Sequence, residues 1–221
     1  VPIPEPPDGG MLLKVLACAL CGSDMRTLRS GHRKVTLPWI IGHEICGKVV
    51  AAGKKYEGQW REGDILAVAP IVYCGYCSFC RTGQFEYCTN YREIAQAWPG
   101  GFAEYIAIPE ESVRLGAIQK IDDDVDPVAA SIVEPISSCI HAQEKGNIVL
   151  GESVAVMGAG PIGCIHLLLS RLRGADRIFM INRSGGRLRI ANRFEPEASI
   201  DASKTEVVDE ILKRTNGEGV D

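Results

Sequence analysis

The sequence predicts a mixed fold, in which a β-rich domain over residues 1–128 precedes an α/β domain over residues 151–221. In the first part, short β-branched and apolar runs alternate with glycine and proline, as in "WIIGHEICGKVVAAG" (39–53), which is typical of closely spaced strands. In the last part, strand, turn and helix follow one another in "GESVAVMGAGPIGCIHLLLSRLRG" (151–174), and residues 176–194 repeat the order. That rhythm is typical of a parallel sheet with crossover helices.

The individual elements follow from local patterns. Residues 1–10 are rich in proline and are predicted to be extended, and 21–31 are predicted to form a short helical turn and loop. Strands are predicted at 11–20 and 63–70, and short strands and turns at 100–116. Apolar residues at helical spacing predict helices at 126–146, with a proline inside, and at 207–217. Residues 129–150 are interpreted as the linking helix between the domains.

Composition narrows the class of protein. The chain has 221 residues, of which 46% are hydrophobic and 24% charged, and a formal net charge of −4. No long basic run indicates a nucleic-acid or anionic-membrane partner. No apolar run approaches the 18–20 residues that span a bilayer, and no leader pattern opens the chain, so we expect a cytoplasmic protein. Cytosolic thiols stay reduced, so the nine cysteines favour metal binding or catalysis over disulfides.

A dinucleotide fingerprint lies in "VAVMGAGPIG", where Gly158, Gly160 and Gly163 follow an apolar strand and open an apolar helix. The first glycine permits the tight turn, the second lets the backbone approach a pyrophosphate, and the third lets helix and strand pack closely. The helix N-terminus, which begins with Pro161 and Ile162, offers free N–H groups to phosphates. The sequence therefore predicts a Rossmann domain that binds NAD or NADP.

The end of the next strand bears on the choice of cofactor. NAD-binding sites carry an acidic residue there for the ribose 2′-hydroxyl. This chain instead has Asn182 and Arg183, with Arg187 close behind. Basic and neutral residues suit a 2′-phosphate, which favours NADP over NAD. In the alternative, the Asn182 amide binds the 2′-hydroxyl of NAD and Arg183 faces solvent.

Four cysteines crowd into "CGYCSFCRTGQFEYC", at Cys74, Cys77, Cys80 and Cys88. Four thiolates on one short loop suit a closed tetrahedral zinc site, which is structural rather than catalytic. An iron–sulfur cluster is the alternative, but the fourth spacing and the missing Cys-Pro are unfavourable to it. We expect this zinc to fold a lobe that has little core of its own.

A second set of candidate ligands is scattered along the chain. Cys21 opens "CGSD", His43 and Glu44 belong to "GHE", and Glu134 belongs to "VEP". One thiolate, one imidazole and one or two carboxylates can hold a catalytic zinc with an open coordination position. Cys18 and Cys21 also form a C-x-x-C pair, but Cys18 lies in an apolar strand pattern and is interpreted as buried packing.

With these residues in view, the sequence resembles the zinc-containing medium-chain dehydrogenases, in particular their sorbitol (polyol) dehydrogenase branch. The resemblance covers essentially the whole chain, and the motifs occur in the same order as in the family. It rests on "CGSD" (21–24), "GHEICGKVVAAG" (42–53), "GD" (63–64), the four-cysteine stretch (74–88), "GGFAEYIAIP", "VEPISSCIHA" (133–142) and "GAGPIG" (158–163).

The resemblance implies a GroES-like β domain with a catalytic zinc, joined to a Rossmann domain. By position, Cys21 and His43 are zinc ligands, and Glu44 is a ligand or moves onto the metal during turnover. Glu134 takes the third ligand position and, in the polyol branch, can act through water. Ser23 passes the substrate proton towards solvent, and Asp24 orients His43.

The resemblance also implies an activity. The expected reaction is reversible hydride transfer between NAD(P) and a secondary alcohol, which is a sugar alcohol, a polyol phosphate or an amino alcohol. Zinc acts as a Lewis acid that lowers the pKa of the hydroxyl group. We expect two zinc ions per chain and a homo-oligomer, dimer or tetramer, at full length. Family chains are longer than this one, so the Rossmann domain is expected to be incomplete.

Three other readings compete with this one. The first is the zinc-free quinone-reductase branch of the same superfamily, against which Cys21, His43 and the four-cysteine lobe argue. The second is a family member without catalysis that acts as a binding or structural protein. The third is a zinc module for protein or nucleic-acid contacts, which the acidic composition and the Rossmann part disfavour.

Overall fold

A computed structural model describes residues 1–56 and 58–221. The chain divides into two compact units, Val1–Glu134 and Pro135–Asp221. Within the described residues, no helix combines the length and apolar character needed to cross a membrane.

Strands and helices are numbered here in chain order. The strands are β1 (Met11–Ala19), β2 (Glu44–Ala52), β3 (Ile65–Val68), β4 (Ile71–Val72), β5 (Arg92–Glu93), β6 (Tyr105–Ile108), β7 (Ile118–Lys120), β8 (Ser153–Met157), β9 (Arg177–Asn182) and β10 (Ala198–Asp201). The helices are α1 (Gly22–Ser30), α2 (Ser78–Arg81), α3 (Glu110–Arg114), α4 (Pro127–Ser131), α5 (Val133–Gly146), α6 (Pro161–Leu172), α7 (Gly185–Ala191) and α8 (Val207–Arg214).

The first unit is built on an antiparallel sheet whose strands lie in the order β6-β1-β2-β3-β7. Its inward-facing side chains form one apolar core, in which Met11, Leu13, Ile45, Leu66 and Ile106 are almost fully buried. The strands β4 and β5 form a separate small ribbon. The prediction of a β-rich first domain is confirmed.

Two local predictions in this unit needed correction. Residues 126–146 do not form one helix, because the chain leaves α-helical geometry at Ile132 between α4 and α5. The break places Pro135 in the first turn of α5, where its missing N–H is not needed, whereas a continuous helix would have lost a hydrogen bond there. Residues 100–116 contain not only a strand but also helix α3, which begins directly after Pro109.

The second unit contains a parallel sheet in the order β10-β9-β8. Helix α6 connects β8 to β9, and α7 connects β9 to β10, so the unit has the predicted βα rhythm. Phe179 and Met180 of β9 are fully buried on opposite faces of the sheet, as expected when helices cover both faces. The predicted α/β part of the fold is confirmed.

Candidate active site and metal centres

The structure brings three of the four scattered candidates together. The ligand atoms of Cys21, His43 and Glu44 lie within 4.8 Å of one another, and His43 and Glu44 are buried. The three come from different elements: Cys21 precedes helix α1, His43 precedes strand β2, and Glu44 is its first residue. A thiolate, an imidazole and a carboxylate at this spacing fit a zinc ion.

Gly42 sets the backbone path that delivers His43 and Glu44 to the cluster. Its φ is +95°, a conformation that side chains rarely adopt, and a Cβ at this position would lie 2.8 Å from the Phe102 ring and 2.9 Å from the Cys18 sulfur. A larger residue would therefore push the loop away from Phe102. The "GHE" motif owes its glycine to this close approach.

Asp24 connects the separate parts of the cluster. One carboxylate oxygen, Oδ2, accepts a hydrogen bond from the backbone N–H of Cys21 at 3.0 Å. The other, Oδ1, accepts one from the backbone N–H of Gly42 at 3.2 Å and lies 3.5 Å from Nδ1 of His43. Only 3% of Asp24 is exposed. With Nδ1 turned to Asp24, the other ring nitrogen of His43 is the one left to bind a metal.

Ser23 lines a cavity of about 250 Å³ together with His43. The lining also includes Glu93 and Gln96, and the Gln96 amide donates a hydrogen bond to Glu93 Oε2 at 2.5 Å. Burial raises the pKa of the Glu93 carboxyl, against the opposing effect of nearby basic groups, of which His43 acts most strongly. Sequence reasoning missed Glu93 and Gln96, because "YREIAQAW" contains no motif that indicates a site.

Glu134 lies at the second position of helix α5, half-buried, at the end of the first unit. Among the described residues, the group of ligand atoms within 4.8 Å contains Cys21, His43 and Glu44 and does not include Glu134. Its role as third ligand stays a prediction.

The four cysteines of the lobe converge as their spacing predicts. The sulfurs of Cys74, Cys77, Cys80 and Cys88 all lie within 4.8 Å of one another. The Cys74 and Cys80 sulfurs are 3.9 Å apart, and those of Cys77 and Cys80 are 3.4 Å apart. Zn–S bonds of about 2.3 Å place tetrahedral sulfurs about 3.8 Å apart, so the arrangement fits zinc.

The lobe has little other means of holding its shape. Between residues 74 and 88, all of them described, the buried residues are Cys80 and Cys88. Two aromatic contacts involve the loop. The ring of Tyr73, just before it, stacks on Phe85 at 4.2 Å, and the ring of Phe79 lies 5.8 Å from that of Tyr87. Since both buried side chains are candidate ligands, a bound metal would take the place of an apolar core.

Backbone amides prepare this lobe for a metal. The N–H of Cys80 donates to the sulfur of Cys77, and this bond lowers the pKa of Cys77 to about 6. Burial raises the pKa of Cys80 to about 12. A thiolate is the form that binds metal, so Cys77 is close to its binding form at neutral pH, whereas a metal that bound Cys80 would displace the thiol proton into solvent.

In the second unit, the fingerprint glycines meet the predicted requirements. Gly158 has a φ of +115°, and a Cβ on Gly163 would lie 1.7 Å from the carbonyl oxygen of Gly158. A Cβ on Gly160 would meet open space. These glycines line a cavity of about 630 Å³ together with Pro161 and Ile162. The first and third glycines thus serve the turn and the packing, and the second faces room for a ligand.

Of the three residues predicted to select the cofactor, Arg187 lines this cavity. Asn182 ends strand β9, and its side-chain amide donates to the carbonyl of Ser184 at 3.2 Å. Arg183 is exposed on the following turn. Strand β9 therefore ends without a carboxylate, as the sequence predicted.

The comparisons with known proteins agree with this geometry. The family of the alcohol dehydrogenase GroES-like domain matches residues 7–119. The chain belongs to this family, and so to the zinc-containing medium-chain dehydrogenases. The predicted resemblance is confirmed.

The particular relatives are dehydrogenases. The chain is 32% identical to a sorbitol dehydrogenase of Bacillus subtilis (strain 168), over all of this chain and 62% of the relative. It is 31% identical to an L-threonine 3-dehydrogenase of Bacillus velezensis, over all of this chain and 63% of the relative. A solved structure described as a zinc-binding dehydrogenase from Sinorhizobium meliloti 1021, bound to NADP, matches with a TM-score of 0.86 and 34% identity. That match covers 95% of this chain and 59% of the other. The chain thus spans about 60% of the length of these relatives.

Proposed function

We propose that the whole protein is a zinc-dependent alcohol or polyol dehydrogenase. In this proposal it transfers hydride reversibly between a secondary alcohol and NAD(P), and it prefers NADP. The observation that carries the proposal is the cluster of Cys21, His43 and Glu44, ordered by the buried Asp24, in one chain with a dinucleotide fingerprint.

The residues of the cluster have separate tasks. Cys21 and His43 hold the catalytic zinc, and Glu44 binds it or exchanges with substrate during turnover. Bound zinc supplies a Lewis acid that polarises the substrate oxygen. Asp24 fixes the His43 ring, and Ser23, on the wall of the adjacent cavity, receives the hydroxyl proton and passes it towards solvent. Glu134 completes the ligand set, directly or through water.

The preference for NADP rests on the end of strand β9. The side-chain amide of Asn182 donates a hydrogen bond to the backbone carbonyl of Ser184. Arg183 and Arg187 supply positive charge for a 2′-phosphate. The NADP-bound relative from Sinorhizobium meliloti supports this choice. The Cys74–Cys88 lobe holds the second, structural zinc, and the active form is a cytoplasmic homo-oligomer.

A substrate screen with metal analysis tests the proposal. The zinc-loaded protein, as its gene encodes it, is given sugar alcohols, polyol phosphates and amino alcohols with each cofactor, and formation of the reduced nicotinamide is followed. We expect about two zinc ions per chain, oxidation of at least one secondary alcohol, and a lower KM for NADP. Two zinc ions without oxidation of any alcohol would instead favour a binding or structural protein.

A further inference from the structure

Glu93 is a carboxylate on the cavity wall that the zinc cluster does not use. It ends strand β5 and lines the same cavity of about 250 Å³ as Ser23 and His43. Its side chain is half-buried. Among the residues that the structure describes, no Lys, Arg or His forms an ion pair with it. A half-buried carboxylate that has no ion-pair partner needs hydrogen-bond donors to offset its loss of hydration.

Asp24 lines the same cavity and serves as a comparison, because its carboxylate has a structural role. Its oxygens are already engaged, since they accept hydrogen bonds from two backbone N–H groups and face His43. Glu93 accepts one side-chain hydrogen bond, from the amide of Gln96. An ionised carboxylate accepts about four hydrogen bonds. Glu93 therefore has acceptor capacity for a ligand in the cavity, whereas Asp24 has little.

The backbone holds Glu93 firmly in this position. Glu93 pairs with Ile71 across the β4-β5 ribbon. Its carbonyl oxygen accepts from the N–H groups of Gln96 at 3.1 Å and Ala97 at 2.8 Å, which form a tight turn behind it. A side chain on so constrained a backbone needs little ordering when a ligand binds, and this favours recognition.

We infer that Glu93 determines substrate specificity by accepting hydrogen bonds from a hydroxyl or ammonium group next to the reacting hydroxyl. The same charge repels a phosphate or carboxylate placed directly against it, although Arg26 and His32 also line the cavity. The substrate is then an alcohol whose neighbouring carbon carries a hydrogen-bond donor, and not a polyol phosphate with its anionic group on this side. The inference rests on the proposed function, because it places the substrate beside Ser23 and His43.

Three probes and two variants test this role in the whole zinc-loaded protein. The probes are 1,2-propanediol, 1-amino-2-propanol and 1,2-propanediol 1-phosphate, which carry a hydroxyl, an ammonium and a phosphate on the carbon next to the secondary alcohol. Glu93→Gln removes the charge but keeps an acceptor, whereas Glu93→Leu removes both at similar size. Glu62→Gln is the control, because Glu62 is exposed and does not line the cavity.

The wild type is expected to prefer one of the two donor-bearing probes over the phosphate. Hydrogen bonds to a charged group correspond to about 10- to 100-fold in kcat/KM. Glu93→Leu should lower kcat/KM for the preferred probe by that factor and leave kcat/KM for 1,2-propanediol 1-phosphate unchanged or improved. If the recognised group is an ammonium, Glu93→Gln shows the same loss, and if it is a hydroxyl, Glu93→Gln loses much less.

Zinc content and melting temperature establish that the variants are folded. Gln96→Leu gives an independent check, because it frees the Glu93 carboxylate without changing its charge, and it should raise KM for the same probe by a smaller factor. A kcat/KM ratio between donor-bearing and phosphate probes that stays within about twofold of wild type in both Glu93 variants overturns the inference. So does a wild type that prefers 1,2-propanediol 1-phosphate. If no alcohol at all is oxidised, the proposed function fails as well, which separates the two outcomes.

Discussion

The two candidate zinc centres of the first unit are built in opposite ways. The ligands of the lobe lie within fifteen residues, from Cys74 to Cys88, and the segment has no other buried residue. Cys21 lies at the start of helix α1, and His43 and Glu44 lie at the start of strand β2. The buried Asp24 joins these two segments through the backbone N–H groups of Cys21 and Gly42. A metal in the lobe would therefore have to hold the local structure together, whereas the ligands of the cluster are held in place by the surrounding fold.

This difference predicts where each metal is needed. A site that replaces a core is closed and matters for stability, whereas a site held by the surrounding fold can leave a coordination position for substrate. The predictions below test this contrast, beginning with the largest expected effect.

Loss of a cluster ligand should abolish turnover and leave the fold intact. Cys21→Ala or His43→Ala removes a ligand from a site whose surroundings do not depend on the metal. Because bound zinc contributes several kcal/mol to catalysis, kcat/KM should fall by about 1,000-fold or more. Steady-state kinetics and the melting temperature measure the two effects.

Cys18→Ala is the control for the cluster variants. Cys18 packs in the strand pattern, and burial raises its pKa to about 12, so it is not expected to act as a redox partner of Cys21. Activity should be retained. Full loss of activity in Cys18→Ala, or substantial activity in Cys21→Ala, would contradict the assignment.

Loss of a lobe ligand should have the opposite pattern. Cys80→Ala removes a buried ligand, and the free energy of unfolding should fall by about 3 kcal/mol or more because the lobe has no core without its metal. Zinc content should drop from about two to about one per chain. Denaturant unfolding and metal analysis check this.

Cys164→Ala is matched to Cys80 in burial, since both side chains are 7–8% exposed, but it lies in helix α6 of the second unit. It should cost only about 1 kcal/mol and leave the zinc content unchanged. Equal effects of the two variants would show that the lobe does not depend on a metal.

Loss of the orienting carboxylate should have an intermediate effect. Asp24→Asn keeps the size of the side chain but removes the charge that faces His43 and one of its two acceptor oxygens. Such changes typically cost 10- to 100-fold in metal affinity or activity. Zinc affinity by competition with a chelator separates this effect from a loss of stability. The exposed Asp123→Asn serves as control, and indistinguishable affinities would contradict the role of Asp24.

The smallest effect is expected in the second unit. Arg183→Ala should raise KM for NADP by about 10-fold, since one charged hydrogen bond to the 2′-phosphate is lost, and leave KM for NAD unchanged. Zinc content should not change. Arg193→Ala, also exposed, is the control. Equal changes for both cofactors would contradict a role in 2′-phosphate recognition.

The fold and the local motifs could be predicted from the sequence because their signals lie within short stretches. Strand β1, the βα units and the four-cysteine lobe each depend on residues near one another in the chain. The single helix predicted for 126–146 was wrong, because the pattern gave apolar spacing but not the place where the chain must break to accommodate Pro135. The domain limits and the role of Glu134 stay predictions.

What the sequence determined by itself is the chemistry that is available: four thiols at metal spacing, a "GHE" motif and a fingerprint without an acid at the next strand end. Only the tertiary structure decided which distant residues meet. It showed that Asp24 contacts both Cys21 and His43, and it placed Glu93 on the wall of the cavity that Ser23 and His43 line. The physical reason is that long-range contacts depend on how the whole sheet packs. No single short stretch of sequence determines that packing.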